Sequence, residues 1–410
     1  MSAIFSNDLL PEKQLKNLKL YKYSAVDKSF TSRFILKHYW NKSIELFPLW
    51  IAQVFKNKLI PNLITLIGLC FMIISVGLMV IFAPEMDAEG GPSWLYYGFA
   101  ASLWLYSTFD NVDGKQARRT GTSSPLGELF DHGCDALNTS FAALLQAAAL
   151  GMGHSIGSVI LYSIAMFGFY LSTAEEYHTG TLYLGYVNAP TEGVILSCIV
   201  FILSGVYGPS MWQLPLGQFV PESWSLPAIL DSMPLCHVII LFIAFMFLFT
   251  HLPACFYAMY KSCRKNNKPF VSTMLIQNFP ITIYCAAFFF WVTSPYSFIL
   301  SHHHYILYCL TTGIVFGRMA TKIILAHLLK TRFPRFTVLL IPLIVGAIIS
   351  NLPRVFDISP IFTPETEYYY ICGYFAFALI AYLKWATLVI NSFCSYLGIR
   401  CLVIPKQKKK

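Results

Sequence analysis

Long apolar stretches separated by short polar segments dominate the chain from about residue 62 onward. About ten of them have the 17–25 residues that an α-helix needs to cross a bilayer. The candidate spans cover residues 62–83, 94–113, 134–152, 156–174, 190–208, 235–259, 273–293, 304–327, 336–352 and 369–394. This pattern predicts an all-α fold: a polytopic membrane helical bundle of about ten transmembrane helices.

Basic side chains concentrate in every second connection between these spans. KSCRKNNKPF at 261–270 and KTRFPR at 330–335 are basic, whereas the connections at 84–93, 206–234 and 294–303 contain no Lys or Arg. Because basic loops stay in the cytosol, the pattern predicts cytosolic amino and carboxyl termini. The segment EEYHTGTLYLGYVNAP at 175–190 must then also be cytosolic, although it carries no Lys or Arg.

Composition supports one membrane domain. The 410 residues are 56% hydrophobic and 12% charged, against about 25% charged residues in soluble domains. We assign the net charge of +9 to the cytosolic flanks of the spans rather than to nucleic-acid binding. The 11 cysteines are scattered without metal-type spacing, which predicts free thiols. No signal peptide is expected, so the first span would insert uncleaved.

One polar segment, DNVDGKQARRTGTSSPLGELFDHGCD at 110–135, interrupts the apolar pattern. Each ionisable group near a bilayer core costs roughly 2.5–3.5 kcal/mol on insertion scales. Asp110 and Asp113 share one helical stripe, Asp131 and Asp135 share another, and GTSSP between them predicts a turn. The segment therefore predicts a hairpin whose four carboxylates face a shared space.

Carboxylates grouped in this way either take up protons or bind cations. An all-oxygen ligand set, without Cys or His at ligand spacing, favours Mg²⁺ or Mn²⁺. Four carboxylates suit two ions that clamp a phosphoryl group. Gly114 and Gly127 allow a ligand or a backbone to come close, and the Arg118 guanidinium can bind a phosphate with two hydrogen bonds.

The segment fits D-x-x-D-G-x-x-A-R-x8-G-x3-D-x3-D at every specified position, and this resembles the signature of the CDP-alcohol phosphotransferases. The positions are Asp110, Asp113, Gly114, Ala117, Arg118, Gly127, Asp131 and Asp135. NLKLYKYSAVDKSF, FPLW, PNLITLIG and DGKQARRTGTSSPLGELFDHGCD are similar to the eukaryotic cholinephosphotransferase and ethanolaminephosphotransferase branch. EEYHTGTLYLG and PTEG look most like its fungal members. The similarity covers most of the chain and is weak from about 205 to 300.

The resemblance implies transfer of phosphocholine or phosphoethanolamine from CDP-choline or CDP-ethanolamine to diacylglycerol. The products would be phosphatidylcholine or phosphatidylethanolamine, and CMP. It also implies two Mg²⁺ ions, with Mn²⁺ as the alternative, a homodimer, and location in the endoplasmic reticulum or Golgi membrane. Residues 1–60 would form a cytosolic amphipathic arm, 61–210 the catalytic core, 211–395 carboxyl-terminal transmembrane helices and 396–410 a basic cytosolic tail.

Site roles follow residue by residue from the same resemblance. The metal ligands would be Asp110, Asp113, Asp131 and Asp135, and the residues that bind the CDP-alcohol would be Asn62, Gly114, Arg118, Gly127 and Glu128. Alternatively, Asn62 would only cap the first span, and Arg118 would only be one of the basic residues that flank a span on the cytosolic side.

The general base is either His132 or Asp135. His132 has a suitable side chain, and Glu128 or Asp135 could orient it. Asp135 is the base usually proposed across the wider family. Because a metal-bound aspartate is a poor base, we favour His132.

Other polar residues have plainer interpretations. Glu175, Glu176 and His178 are read as ordinary loop residues that could approach the head group. The run of histidines at 302–304 lies at the opposite, lumenal side and is read as a solvated loop, with metal binding as the alternative. Tyr106 is read as core packing.

Several questions stay open from the sequence. Choline and ethanolamine are not distinguished by any single residue. The tail PKQKKK is either a dilysine retrieval signal or a basic flank. Residues 53–60 intervene where the family runs straight on, and their effect on the arm is open. Two other functions remain: an enzyme that uses CDP-diacylglycerol and a soluble alcohol, and a cation transporter.

Overall fold

Ten long helices form where the sequence has its ten apolar stretches, in a computed structural model that describes residues 10–46, 61–221, 223–224 and 226–402. They are α1 Pro61–Phe82, α2 Ser93–Thr120, α3 Pro125–Ala149, α4 Ile156–Thr179, α5 Val194–Tyr207, α6 Leu235–Lys265, α7 Phe270–Val292, α8 Tyr305–Leu328, α9 Leu340–Phe356 and α10 Pro364–Leu397. The segment FPLW, the intervening residues 53–60 and the tail PKQKKK lie outside the described residues.

Seven helices in the described ranges are long and apolar enough to cross a membrane: α1, α4, α5 with the π-helical turn Ala189–Gly193 before it, α6, α7, α8 and α10. Helix α9 is apolar but has only 17 residues. Helices α2 and α3 contain the charged hairpin of the sequence. The chain is thus a mostly helical, multi-pass membrane protein, and the count of about ten spans stays a prediction.

Helix α8 lies in the middle of the bundle. It packs against α3, α4 and α10, and almost all of its side chains are buried. Glycines allow the close approach of α3: Gly313 faces Ser140, and Gly317 faces Leu137. Small residues at such contacts let two backbones come together where lipid offers no competing hydrophobic gain. Outside this pair, α3 packs on α1 and α4, α1 packs along α2, and α2 packs along α5.

The amino-terminal arm lies against one end of the bundle. Its short elements are helical segments Glu12–Leu15, Lys16–Leu20, Ser32–Leu36, Lys37–Ser43 and Ile44–Leu46, and strand β1 Ala25–Asp27. Strand β1 pairs in parallel with β2, Leu182–Leu184, which follows α4. The sequence did not predict this sheet. Further short helical segments are Pro209–Gln213, Leu216–Phe219 and Ala228–Asp231.

The end of α4 corrects one expectation. The sequence placed Glu175, Glu176 and His178 in a loop, but α4 continues through Thr179 and ends at Gly180, whose φ is +72°. Glycine reaches this left-handed conformation at no steric cost, so it ends the helix. Both glutamates are buried at the end of α4 rather than exposed in a solvated loop.

The contact between α7 and α9 gives a test of the packing. A Cβ on Gly346 would overlap the ring of Trp291, which is fully buried. We expect Gly346→Ala to destabilise the protein by about 1–3 kcal/mol, as overpacking of a core does. The measurement is the midpoint of thermal unfolding in detergent.

Gly373→Ala in α10 is the matched control, because a Cβ there meets no atom within 4 Å. Its midpoint should stay or rise slightly, since Ala is the better helix former. Equal midpoints for Gly346→Ala and wild type would contradict the α7–α9 contact.

Candidate metal and substrate site

A tight connection joins α2 to α3. Helix α2 ends at Gly121, whose φ is +66°, and the Thr122 amide donates to the Ala117 carbonyl over 2.9 Å. Helix α3 starts after Ser124, whose hydroxyl accepts from the Gly127 amide at 3.2 Å, and Pro125 occupies its first turn. Left-handed glycine, serine cap and first-turn proline are the usual stop and start signals of helices. They bring the charged ends of α2 and α3 together.

Three of the four predicted aspartates meet between these helix ends. One carboxylate oxygen from each of Asp110, Asp131 and Asp135 lies within 4.8 Å of the other two. Asp113 stands beside them, close enough for its charge to act on Asp131 and Asp135. Its carboxylate accepts a hydrogen bond from Thr65 of α1. The structure therefore brings all four predicted aspartates to one place.

The cluster fits a divalent cation. Asp131 Oδ1 is buried and accepts no hydrogen bond from any described residue. The negative charges of Asp113, Asp110 and Asp135 all act on Asp131. Buried carboxylates without a counter-charge are costly, and a hard dication with oxygen ligands would remove that cost. The donor set, carboxylate oxygen only, is the one that Mg²⁺, Mn²⁺ and Ca²⁺ prefer.

Tyr106 holds one of the aspartates in place, a role that the sequence did not predict. Its hydroxyl donates to Asp135 Oδ1 over 2.6 Å, and its side chain is buried in α2. The bond fixes one carboxylate oxygen and leaves the other for a ligand. The spacing in the sequence could have indicated this role, because Tyr106 precedes Asp110 by one helical turn and so lies on the same face of α2.

His132 faces a carboxylate from another helix. Its Nδ1 lies 3.5 Å from Oε2 of Glu176, and both side chains are about nine-tenths buried. The sequence predicted that Glu128 or Asp135 would orient the imidazole. Their charges do act on it, but Glu176 of α4 is the carboxylate in contact. The Glu176 contact directs Nδ1 toward α4, which fixes the orientation of the ring.

The predicted substrate residues lie on α1 and on the two helices that carry the aspartates. Asn62 is the second residue of α1; a Cβ on Gly127 would lie 3.7 Å from its Oδ1. Its amide donates to the Cys401 carbonyl over 3.1 Å. A Cβ on Gly114 would meet only the Arg118 guanidinium, 3.5 Å away. Arg118 itself is exposed. Both glycines thus border open space beside polar side chains.

Glu128 is bound by the amino-terminal arm. The Tyr21 hydroxyl donates to Glu128 Oε2 over 2.7 Å. Burial and the charge of Glu128 both raise the pKa of Tyr21 well above its usual value, so the phenol keeps the proton that it donates. Sequence reasoning missed this contact. Its only signal was the position of Tyr21 in NLKLYKY, one of the segments that carry the family resemblance.

Comparisons with known proteins agree with the motif. Residues 58–220 match the family model described as CDP-alcohol phosphatidyltransferase. An uncharacterized CDP-alcohol phosphatidyltransferase class-I family protein of Schizosaccharomyces pombe is 36% identical over 400 residues, covering 97% of this chain and 98% of that protein. Cholinephosphotransferase 1 of Saccharomyces cerevisiae is 44% identical over 216 residues, 52% of each chain. Choline/ethanolaminephosphotransferase 2 of Arabidopsis thaliana is 33% identical over 398 residues, covering 95% of this chain and 97% of that protein.

Manganese binding tests the cluster directly. We expect Asp131→Asn to weaken Mn²⁺ binding at least about tenfold, because it removes a charge from the buried ligand set. The measurement is the electron paramagnetic resonance signal of free Mn²⁺ during titration of the detergent-purified protein.

Asp357→Asn is the matched control, since Asp357 is exposed at the end of α9 and asparagine tolerates its positive φ. Equal Mn²⁺ affinity in the two variants would contradict a metal site at the aspartates.

Proposed function

The chain belongs to the CDP-alcohol phosphatidyltransferase family, and from this premise we propose that it transfers phosphocholine or phosphoethanolamine from CDP-choline or CDP-ethanolamine to 1,2-diacylglycerol. The products are phosphatidylcholine or phosphatidylethanolamine, and CMP. The observation that carries the proposal is the group of aspartates between α2 and α3. The names of the yeast and Arabidopsis relatives support the choice of substrates.

The reaction forms one P–O bond and breaks another. The free hydroxyl oxygen of diacylglycerol attacks the phosphorus that bears the amino alcohol, and the oxygen that links the two phosphates leaves with CMP and takes the bonding electrons. Divalent cations, when bound at the aspartates, would neutralise the charge that develops on the two phosphates. We assign Mg²⁺ as the ion, with two ions shared among Asp110, Asp113, Asp131 and Asp135, and Mn²⁺ as a substitute.

We assign the proton of the attacking hydroxyl to His132. Nδ1 is turned toward Glu176, which leaves Nε2 to accept the proton. Glu176 stabilises the imidazolium that forms, as the carboxylate partner of a catalytic histidine does. Asp135 is less suited, because it is grouped with two other aspartates and accepts a hydrogen bond from Tyr106. Substitution of His132 therefore distinguishes the two candidate bases, His132 and Asp135.

The donor would lie between α1 and the hairpin. Asn62 and Gly127 are neighbours, and Gly114 is open except on the Arg118 side. We propose that these residues and Glu128 bind the CDP-alcohol, with Arg118 on a phosphate. The Tyr21–Glu128 bond would then place the arm over the donor.

The wider assignments rest on sequence pattern and family. We propose that both termini face the cytosol, that the aspartates open to that side, and that the protein acts as a homodimer in the endoplasmic reticulum, with the Golgi as the alternative. Residues 61–210 would be the catalytic core and 211–395 the added transmembrane helices. The arm 1–60 and tail 396–410 would be cytosolic.

The donor test uses purified protein in detergent with diacylglycerol. We expect CMP release with CDP-choline, CDP-ethanolamine or both, loss of release with a chelator, and a loss of more than about a hundredfold in Asp131→Asn. The ratio of the two rates identifies the preferred donor. Inert CDP-choline and CDP-ethanolamine, together with activity on CDP-diacylglycerol and a soluble alcohol, would reverse the assignment of donor and acceptor.

The base is tested by His132→Gln, which should lower kcat by about 10²–10⁴, the usual contribution of a general base. If His132→Gln kept the kcat of the wild type, Asp135 would instead be the general base. Glu176→Gln should lower kcat about tenfold and leave KM for the donor unchanged, because Glu176 acts through His132 rather than on the substrate.

Glu175→Gln is the matched control for Glu176→Gln. Glu175 is equally buried but its side chain is directed to Cys255 of α6 rather than to His132. A loss of kcat in Glu175→Gln as large as in Glu176→Gln would indicate a general packing effect instead of positioning of the base.

A further inference from the structure

A second cluster of ligand-type side chains lies at the other end of the bundle. Glu85 follows α1, His154 lies between α3 and α4, and His303 precedes α8. Helix α1 begins beside the aspartates and ends next to Glu85. At 1.5 Å per residue, the stretch from Thr65 to Phe82 separates the two clusters by about 25 Å. The second cluster therefore takes no part in the reaction proposed above.

The three side chains converge on one point. A carboxylate oxygen of Glu85 and one ring nitrogen from each of His154 and His303 all lie within 4.8 Å of one another. Glu85 Oε2 is 2.6 Å from His303 Nδ1 and 4.0 Å from His154 Nε2. The two imidazole rings stand nearly perpendicular, with centroids 4.8 Å apart.

These separations are near those of a tetrahedral metal site. Ligand atoms at Zn–N and Zn–O distances of about 2.0–2.2 Å stand about 3.3–3.5 Å apart. The two distances from Glu85 bracket that value, so small rotations of exposed side chains suffice. The Pro84 carbonyl oxygen, 3.0 Å from His154 Nε2, is a further oxygen at the same point.

The cluster is built rather than incidental. The His154 side chain is only 3% exposed, and its Nε2, the ring nitrogen nearest Glu85, lies 3.0 Å from the Pro84 carbonyl oxygen. His303 has a φ of +59°, which is uncommon for a residue with a side chain. Such strain persists only where the surroundings hold it, and it concentrates at ligand sites. Three connections that are far apart in sequence thus hold two histidines against one carboxylate.

An ion pair between Glu85 and His303 does not explain why His154 also lies at this point. Glu85 and His303 are each about half exposed, and a surface pair of this kind contributes little. It does not need His154. His154 places its Nε2 4.0 Å from Oε2 of Glu85 and so adds a third ligand-type atom to the pair.

We propose that Glu85, His154 and His303 bind a transition-metal dication, Zn²⁺ by preference, with the Pro84 carbonyl or a water in the fourth position. Two imidazole nitrogens and one carboxylate suit Zn²⁺ and Cu²⁺, whereas Mg²⁺ and Ca²⁺ favour oxygen ligands throughout. The ion joins the connections α1–α2, α3–α4 and α7–α8. Its role is structural: it holds the end of the bundle that is remote from the aspartates.

The test uses Co²⁺ as a spectroscopic probe on the full chain in detergent, with excess Mg²⁺ to occupy the aspartates. We expect the intense visible bands of tetrahedral Co²⁺ at one ion per chain, and their loss on addition of Zn²⁺. His303→Ala and Glu85→Gln should lower Co²⁺ affinity at least about tenfold. Zn²⁺ should also raise the midpoint of thermal unfolding of wild type, because it binds only the folded state.

The controls are neighbours of the same type. His302→Ala removes an exposed histidine outside the cluster, and Glu89→Gln removes an exposed carboxylate from the same connection as Glu85. Both should bind Co²⁺ as wild type does. His303 and Glu85 are exposed enough that their substitution leaves the fold intact, which Mn²⁺ binding at the aspartates and gel-filtration elution verify.

The opposite outcomes are clear. Wild-type protein without tetrahedral Co²⁺ bands would reduce the cluster to a Glu85–His303 ion pair and overturn the proposal. Bands that persist unchanged in His303→Ala and Glu85→Gln would assign the ion to other residues and overturn it equally. Neither result bears on CMP release, so failure here leaves the proposed reaction standing.

Discussion

Four carboxylates held together at the end of an apolar bundle are the constraint on which the rest of the molecule depends. Their mutual repulsion and their partial burial both oppose folding, and hydrogen bonds to two of the carboxylates offset part of that cost. Thr65 reaches Asp113 from α1, and Tyr106 reaches Asp135 from within α2. A divalent cation bound there would complete the compensation, so the feature that is least favourable for folding is the one to which we assign the charged substrate.

The residues that hold the neighbours of the aspartates in place come from distant parts of the chain. Tyr21 of the arm holds Glu128, and Glu176 of α4 holds His132. The arm is itself fixed by the pairing of β1 with β2 and by a 2.5 Å hydrogen bond from Ser29 to Glu192. The same connection after α4 therefore supports both the arm and the helix that carries Glu176. The residues that we propose for substrate binding and their supports thus form one connected unit.

The sequence predicted what local pattern determines. Apolar stretches of membrane length located the ten helices, and the glycine, serine and proline of GTSSP located the turn between α2 and α3. What it missed are contacts between segments far apart in the chain. No periodicity in NLKLYKY indicates that Tyr21 meets Glu128. The helical end of α4 was taken for a loop because polar residues in a membrane protein usually mark a connection, whereas here Glu176 is turned inward against His132.

The position of α8 has a consequence for biosynthesis. This helix is apolar enough to enter lipid, yet it finishes enclosed by α3, α4 and α10. During synthesis the helix that carries His132 must wait for a partner that emerges about 170 residues later, since Ser140 and Leu137 of α3 pack against Gly313 and Gly317 of α8. Until then α3 presents a seam of small and polar groups to lipid. In a chain stalled before residue 305 this seam would stay uncovered, so α3 reaches its buried environment only after α8 has been made.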